Sequence, residues 1–215
     1  MGRTSWMLAA MLMLAASWAA GREDSEQGWI RLFDGKTLNG WKASELEENW
    51  KVSEGAIVAS GPRSHLFYIG PDARHPADFQ DFHFKAEVMT RPNSNSGIYF
   101  HSKLRENDWP EIGHEAQVNN SYAPDPQRTG SLYNVVKNLE PPAEDNKWFT
   151  EEVIVRGKRI VIKVDGKTIV DYVEPDTVEG GRKLSHGTFA LQAHDPGSTT
   201  LYRNILVKRL SASQK

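Results

Sequence analysis

Apolar and polar residues alternate along most of the chain beyond residue 28. No stretch there sustains the 3.6-residue apolar period of an amphipathic helix. In residues 79–90, Phe82, Phe84, Ala86 and Val88 alternate with His83, Lys85, Glu87 and Met89, which predicts a long strand with one apolar face. Residues 148–156 and 159–164 flank Gly157-Lys158 and form the clearest predicted hairpin. Asp165-Gly166 then turns the chain into a strand over 167–173, a dipeptide suited to the twist of paired strands. A shorter hairpin is expected where Ser53-Glu54-Gly55 joins 49–52 to 56–59, and closing strands over 188–193 and 199–210. About a dozen short strands without βαβ alternation predict an all-β fold, an antiparallel two-sheet sandwich, with barrel closure as the alternative.

Three of the predicted strands carry chemistry. In residues 95–102, Ile98 and Phe100 point one way, and Tyr99 and His101 the other. In residues 114–119, His114, Ala116 and Val118 oppose Glu115 and Gln117. In residues 189–194, Phe189, Leu191 and Ala193 oppose Gln192 and His194. If the three are neighbours in one sheet, His101, Glu115, Gln117, Gln192 and His194 converge on one surface with Tyr99 among them. The intervening loops, over 61–78, 103–113, 120–130 and 137–147, are long for a compact domain, and loops of that length are usually functional or disordered. Their Trp, Tyr and Pro content argues for ordered rims around a site. Trp109, between Asp108 and Pro110, is the expected exposed aromatic, with Tyr122 and Tyr133 beside it. Trp29, Trp50 and Trp148 are read as core residues.

The ends change the picture. Arg3, the Met/Leu/Ala-rich run over 6–16 and Ser17-Trp18-Ala19 have the pattern of a signal peptide over residues 1–20. The run is shorter than the roughly 20 apolar residues of a membrane span. Arg3 is its only charged residue, so removal takes the formal charge from −2 to −3, which marks no surface for nucleic acid. Residues 21–28 read as a flexible segment and 29–210 as one β-sandwich domain. No cysteine is present, so neither disulfides nor a lipid-modified cysteine is available. The expected protein is secreted or periplasmic, not a lipoprotein, and off the membrane once the signal is removed.

Several chemistries find no support. The seven histidines lack the spacing of known metal motifs, so no cofactor is expected, although calcium held structurally by loop oxygens is compatible with the chain. No Gly-x-Ser-x-Gly elbow and no glycine-rich phosphate cradle occurs. Polar side chains spread over a sheet face, with aromatic residues at its rim, fit carbohydrate. An ordinary glycosidase needs two carboxyl groups about the scissile bond. Here the strand reads Glu115-Ala-Gln-Val-Asn-Asn120, with amides where further acids would stand. Asp108, Glu111 and Asp195 are the loop acids that offer a second carboxylate.

The opening Gly28-Trp-Ile-Arg-Leu-Phe-Asp-Gly-Lys-Thr-Leu-Asn-Gly-Trp41 combines with several later motifs. These are Asn95-Ser-Gly-Ile-Tyr-Phe-His101, Gly113-His-Glu-Ala-Gln-Val118, Thr129-Gly-Ser-Leu-Tyr133, Leu191-Gln-Ala-His194 and Tyr202-Arg-Asn-Ile205. In that order, and over essentially the whole chain after the leader, the set resembles the 3-keto-disaccharide hydrolase domain family. The resemblance implies a jelly roll of the concanavalin A-like lectin/glucanase type and cleavage of glycosides already oxidised at C3. A ketone at C3 acidifies the C2 proton, so one base can remove it and expel the C1 substituent, after which water adds back. That route needs no paired carboxylates. Under it Glu115 is the base, and His101 or His194 the proton donor or enolate stabiliser. Gln117 and Gln192 orient sugar hydroxyls, Tyr99, Trp109 and Tyr133 contact substrate, and Arg203 braces the sheet. The chain departs from the family pattern at His101, where Arg is common, and at Asp195-Pro196 after His194, where glycine is more usual. The alternatives are a non-catalytic carbohydrate-binding lectin-like module and a conventional glycosidase.

Overall fold

A computed structural model of the protein describes residues 23–24, 28–72 and 77–211. The predicted leader over 1–20 and most of the segment 21–28 lie outside the described residues. The strands, in chain order, are β1 (Glu23–Asp24), β2 (Trp29–Arg31), β3 (Trp41–Ala43), β4 (Trp50–Ser53), β5 (Ala56–Ser60), β6 (Ser64–Tyr68) and β7 (Phe82–Thr90). They continue as β8 (Ser96–Ser102), β9 (His114–Val118), β10 (Phe149–Arg156), β11 (Arg159–Val164), β12 (Lys167–Val173), β13 (Thr188–Ala193) and β14 (Thr199–Arg209). Among the described residues the only helix is a single 3-10 turn, Glu47–Asn49, and no helix is long and apolar enough to cross a membrane.

Two antiparallel sheets result. The larger runs β1-β2-β14-β7-β10-β11-β12, with the β4–β5 hairpin attached to β14; the smaller runs β3-β6-β13-β8-β9. Register follows the apolar pattern, because a slip of one residue would turn every apolar side chain to the wrong face. Across the large sheet Ile30, Val207, Phe84, Val153, Ile162 and Val170 lie opposite one another. Across the small sheet the corresponding row is Ala43, Leu66, Leu191, Ile98 and Ala116, extended by a bridge to Leu132. These rows face each other and belong to one continuous core.

β6 falls inside the stretch 61–78 that the alternation pattern leaves as a loop. Ser64-His-Leu-Phe-Tyr68 does not alternate because both its faces are buried: Leu66 and Tyr68 meet the core, while His65 and Phe67 lie under loops on the outer side. The tryptophans also divide differently from expectation. Trp50 is buried, but Trp29 and Trp148 are half-buried on the outer face of the large sheet. Lys85 and Arg203 cover their rings at 4.2 and 3.9 Å from the ring centroids. Arg203 also donates from Nε to Glu87 Oε2 at 2.7 Å, tying β14 to β7. It braces the large sheet, away from the polar face described next.

Candidate active site

The outer face of the small sheet is polar in composition yet closed to water. Register pairs His65 with Gln192, Ala190 with Tyr99, Tyr99 with Glu115, and Gly97 with Gln117. All of these are buried. Buried polar groups are costly unless paired within the protein, and hydrogen bonds link several of them across the strands. Gln192 Nε2 lies 3.5 Å from His65 Nε2 and donates to Tyr99 Oη at 3.1 Å. Tyr99 and Glu115 stand opposite each other on neighbouring strands, so the phenol and the carboxylate act on each other's charge. Gln117 Nε2 donates to Asn95 Oδ1 at 2.8 Å. Glu115 leans across the strand to lie over Gly97, where a Cβ atom would overlap its Oε1. Glycine is required there by that close approach.

Loops supply the rim. The loop 103–113 carries Trp109, 39 % exposed, whose ring is 5.3 Å from that of His65 and 5.9 Å from that of His194. The loop is held by Arg105, paired with Asp108 at 2.7 Å and with Glu111. The loop 119–130 is wound about two hubs: Asn119 Nδ2 and Arg128 Nη1 each donate to the carbonyls of Tyr122 and Asp125. It carries Tyr122 to 5.6 Å from the His194 ring. Asn95, Tyr122, Asp125, Tyr133 and His194 line a cleft of about 390 Å³. A third loop, 174–187, places Arg182 Nη1 3.7 Å from Glu115 Oε2 and its guanidinium 5.5 Å from the Tyr133 ring centroid.

Burial dominates the electrostatics. It raises Glu115, 3 % exposed, to a pKa of about 7, with Arg182 and the Tyr99 hydroxyl acting in the opposite direction. A carboxylate poised there is ionised in part of the molecules at neutral pH and basic enough to take a proton. Burial lowers His65 to about 3, assisted by Arg63 and His194, so it stays a neutral imidazole. Its Nδ1 has no hydrogen-bond partner among the described residues. His194 is paired through Nδ1 with Asp195 Oδ2 at 3.0 Å, which leaves Nε2 as the nitrogen on offer to a ligand.

Of the residues expected to converge, the fold brings Glu115, Gln117, Gln192, His194 and Tyr99 onto one face, with Trp109 and Tyr133 at its rim. His101 is not with them. Strand β8 breaks register at its end, between the partners Thr188 and Ala190, and His101 adopts φ 53°. Such a bulge re-aims a side chain. The ring turns instead onto Phe82, 5.5 Å between centroids, and both nitrogens are used. Nε2 is 2.8 Å from the Gln80 carbonyl, and Nδ1 accepts from the Ser185 N–H at 3.2 Å. Burial pushes its pKa down. Strict alternation places His101 on the face only in an unbroken strand. The acids offered as second carboxylates are engaged elsewhere: Asp108 and Glu111 with Arg105, and Asp195 with His194, Ser198 and the Gly197 N–H. His65 and Arg182 were not legible. His65 sits on β6, inside the stretch 61–78 that the alternation pattern leaves as a loop. Arg182 lies in Gly180-Gly-Arg-Lys183, which carries no motif. The four-residue apolar run Leu66-Phe-Tyr-Ile69, in a stretch between Gly61-Pro62 and Gly70-Pro71, is the one signal that marks β6 as a doubly buried strand.

Known proteins share this architecture. Residues 28–208 match the 3-keto-alpha-glucoside-1,2-lyase-like domain. A Bacteroides thetaiotaomicron protein named 3-keto-disaccharide hydrolase is 23% identical over 169 residues, 67% of this chain and 58% of that protein, so the chain spans little more than half of its relative. A Parabacteroides distasonis crystal structure assigned as a glycosyl hydrolase superposes with a TM-score of 0.71 at 20% identity, covering 86% of this chain and 94% of the other. A Bacillus subtilis carbohydrate-binding module superposes at 0.56 and 15% identity, covering 80% and 98%. At these identities the structural likenesses establish the fold alone, an antiparallel two-sheet β-sandwich. The family model, which spans most of the chain in one continuous match, establishes more: the chain belongs to the 3-keto-alpha-glucoside-1,2-lyase-like domain family.

Proposed function

We infer that the protein cleaves glycosides carrying a ketone at C3, by elimination across C2 and C1 followed by addition of water. The observation that carries this reading is Glu115: one buried carboxylate, raised to about 7, with the Arg182 guanidinium 3.7 Å away and no second carboxylate of the outer strand face beside it. Glu115 takes the C2 proton. His194, oriented by Asp195 through Nδ1, returns a proton from Nε2 to the departing C1 oxygen. Gln117 and Gln192 orient hydroxyls of the sugar with their remaining amide groups, and Trp109 and Tyr122 flank it at the mouth. The family membership and the name of the Bacteroides relative support the substrate class.

The reading is tested with purified protein, a 3-keto-glucoside and the same glucoside unoxidised. Release from the keto substrate alone is expected. Release from the plain glycoside, or binding without release from either, would overturn it. The second outcome belongs to the competing reading, a sugar-binding module, which the half-exposed aromatic rim and the likeness to a carbohydrate-binding module favour.

A further inference from the structure

Removing a proton next to a ketone leaves an oxyanion, and the polar face offers few groups to receive it. Tyr99 accepts from Gln192, and Gln117 donates to Asn95. Arg63 is held by Glu45 at 2.8 Å and by the Asn107 carbonyl at 3.1 Å. His101 faces the core. Arg182 differs from all of these. Its guanidinium stands off Glu115 at 3.7 Å, beyond hydrogen-bond distance, and is 35 % exposed.

The position of Arg182 is set from both sides. Before it, Gly181 accepts the Gly113 N–H at 3.0 Å and packs so tightly on the Glu111 carbonyl that a Cβ would overlap it. After it, Leu184 N–H donates to the Glu174 carboxylate at 3.0 Å, and Glu174 in turn meets His114 Nε2 at 2.9 Å. Ser185 N–H donates to His101 Nδ1. Two buried imidazoles of the small sheet thus anchor an external loop that would otherwise be free to carry Arg182 away.

We propose that Arg182 is the electrophile of the reaction, its guanidinium binding the ketone oxygen of the sugar while Glu115 removes the adjacent proton. The step rests on the reading of the site given above. The C2–H bond breaks and its proton passes to Glu115. The electron pair forms the C2–C3 double bond, and the carbonyl π pair moves onto the C3 oxygen, where Arg182 holds it by charge-assisted hydrogen bonds. When the pair returns, the C1–O bond breaks and His194 protonates the leaving oxygen. The C3 ketone re-forms in that step with a new double bond between C1 and C2, and water then adds across it, hydroxyl to C1 and proton to C2. In this arrangement His101 and His114 are positioning residues, acting through the loop.

The test separates proton removal from cleavage. A 3-keto sugar with no leaving group at C1 (1,5-anhydro-3-ketoglucitol) is incubated in D2O and loss of its C2 proton followed by NMR, beside release from a 3-keto-glucoside. Arg182→Gln should lose about 100-fold in both exchange and kcat, as removal of one oxyanion donor does. Arg182→Lys should fall between, and guanidinium ion should restore part of the loss in Arg182→Ala. Arg182→Gln should also move the acid limb of kcat/KM upward. Glu115, faced by Arg182, Tyr99, Asp125 and Tyr133 and from the core by Tyr202, would then lose its one neighbouring cation among these groups. Thermal unfolding of each variant identifies any that fails to fold; Arg182→Lys, which keeps the charge, then carries the test. Exchange and kcat within threefold of wild type in a folded variant would overturn the role of Arg182 and leave the proposed function intact. No release from the keto substrate by the wild-type protein would overturn both.

Discussion

The two outer faces of the sandwich are built from the same alternation and have opposite fates. On β10, on β11 and on β7 as far as Glu87 every second residue is at least partly exposed, and polar groups of this face pair in solvent: His83 with Glu152 at 2.7 Å, Arg203 with Glu87 at 2.7 Å, Arg159 with Asp171. On β6, β8, β9 and β13 every residue is buried, on both faces. The loops that follow the small sheet's strands fold back over it, so its polar residues lie between a sheet and a lid of loops. An exposed ion pair is worth at most about 1 kcal/mol. A buried carboxylate is far more sensitive to its surroundings and shifts its pKa in response. That is the difference between a face that solubilises the fold and a face that can do chemistry.

The same contrast can be broken by substitution. Glu115→Gln keeps the shape and removes the base, and should lower kcat on a 3-keto-glucoside by about 1,000-fold or more. Glu152→Gln, on the solvated face, should leave turnover within about twofold. Stability should move the other way. The Glu115 proton is bound more tightly in the folded protein than in the unfolded chain, so its contribution is fully present below pH 4.5 and lost as the pH rises through about 7. Glu115→Gln removes that loss: thermal or urea unfolding should show it up to about 3 kcal/mol more stable than wild type at pH 8, with little difference at pH 4. The wild-type kcat/KM should correspondingly rise with pH through about 7, as Glu115 ionises.

A smaller perturbation tests the packing beneath the carboxylate. Gly97→Ala sets a methyl group where Glu115 Oε1 lies, and should cost at least about tenfold in kcat because a displaced group loses its alignment. The smallest effect is expected on the large sheet. Arg203→Ala opens the Glu87 pair and uncovers Trp148, and should destabilise by about 1 kcal/mol without altering turnover; urea unfolding and the keto-glucoside assay check the two halves of that statement.

Buried glutamate is not by itself a site. Glu151 on β10 is buried among the core residues, and neither oxygen has a hydrogen-bond partner among the described residues. Burial pushes its pKa well above the usual range, so it stays protonated. It shares a strand face with Phe149 and Val153, which meet the core and not a cleft. What distinguishes Glu115 is the company of Tyr99, Arg182 and the aromatic rim.

The amino-acid pattern alone determined the all-β class, the hairpins about Gly157 and Asp165, and the grouping of Glu115, Gln117, Gln192 and His194 on one side of their strands, because a strand's period of two is a local property of the backbone. It also carried the family motifs. Whether that side met water was not local. The bulge that turns His101 away depends on the close passage of Gly113 and Gly187 against β8. The recognition of β6 depends on the loops that bury its outer face. The approach of Arg182 to Glu115 depends on a loop fastened to two histidines far from it in sequence. These are contacts between segments tens of residues apart, and only the assembled sandwich decides them.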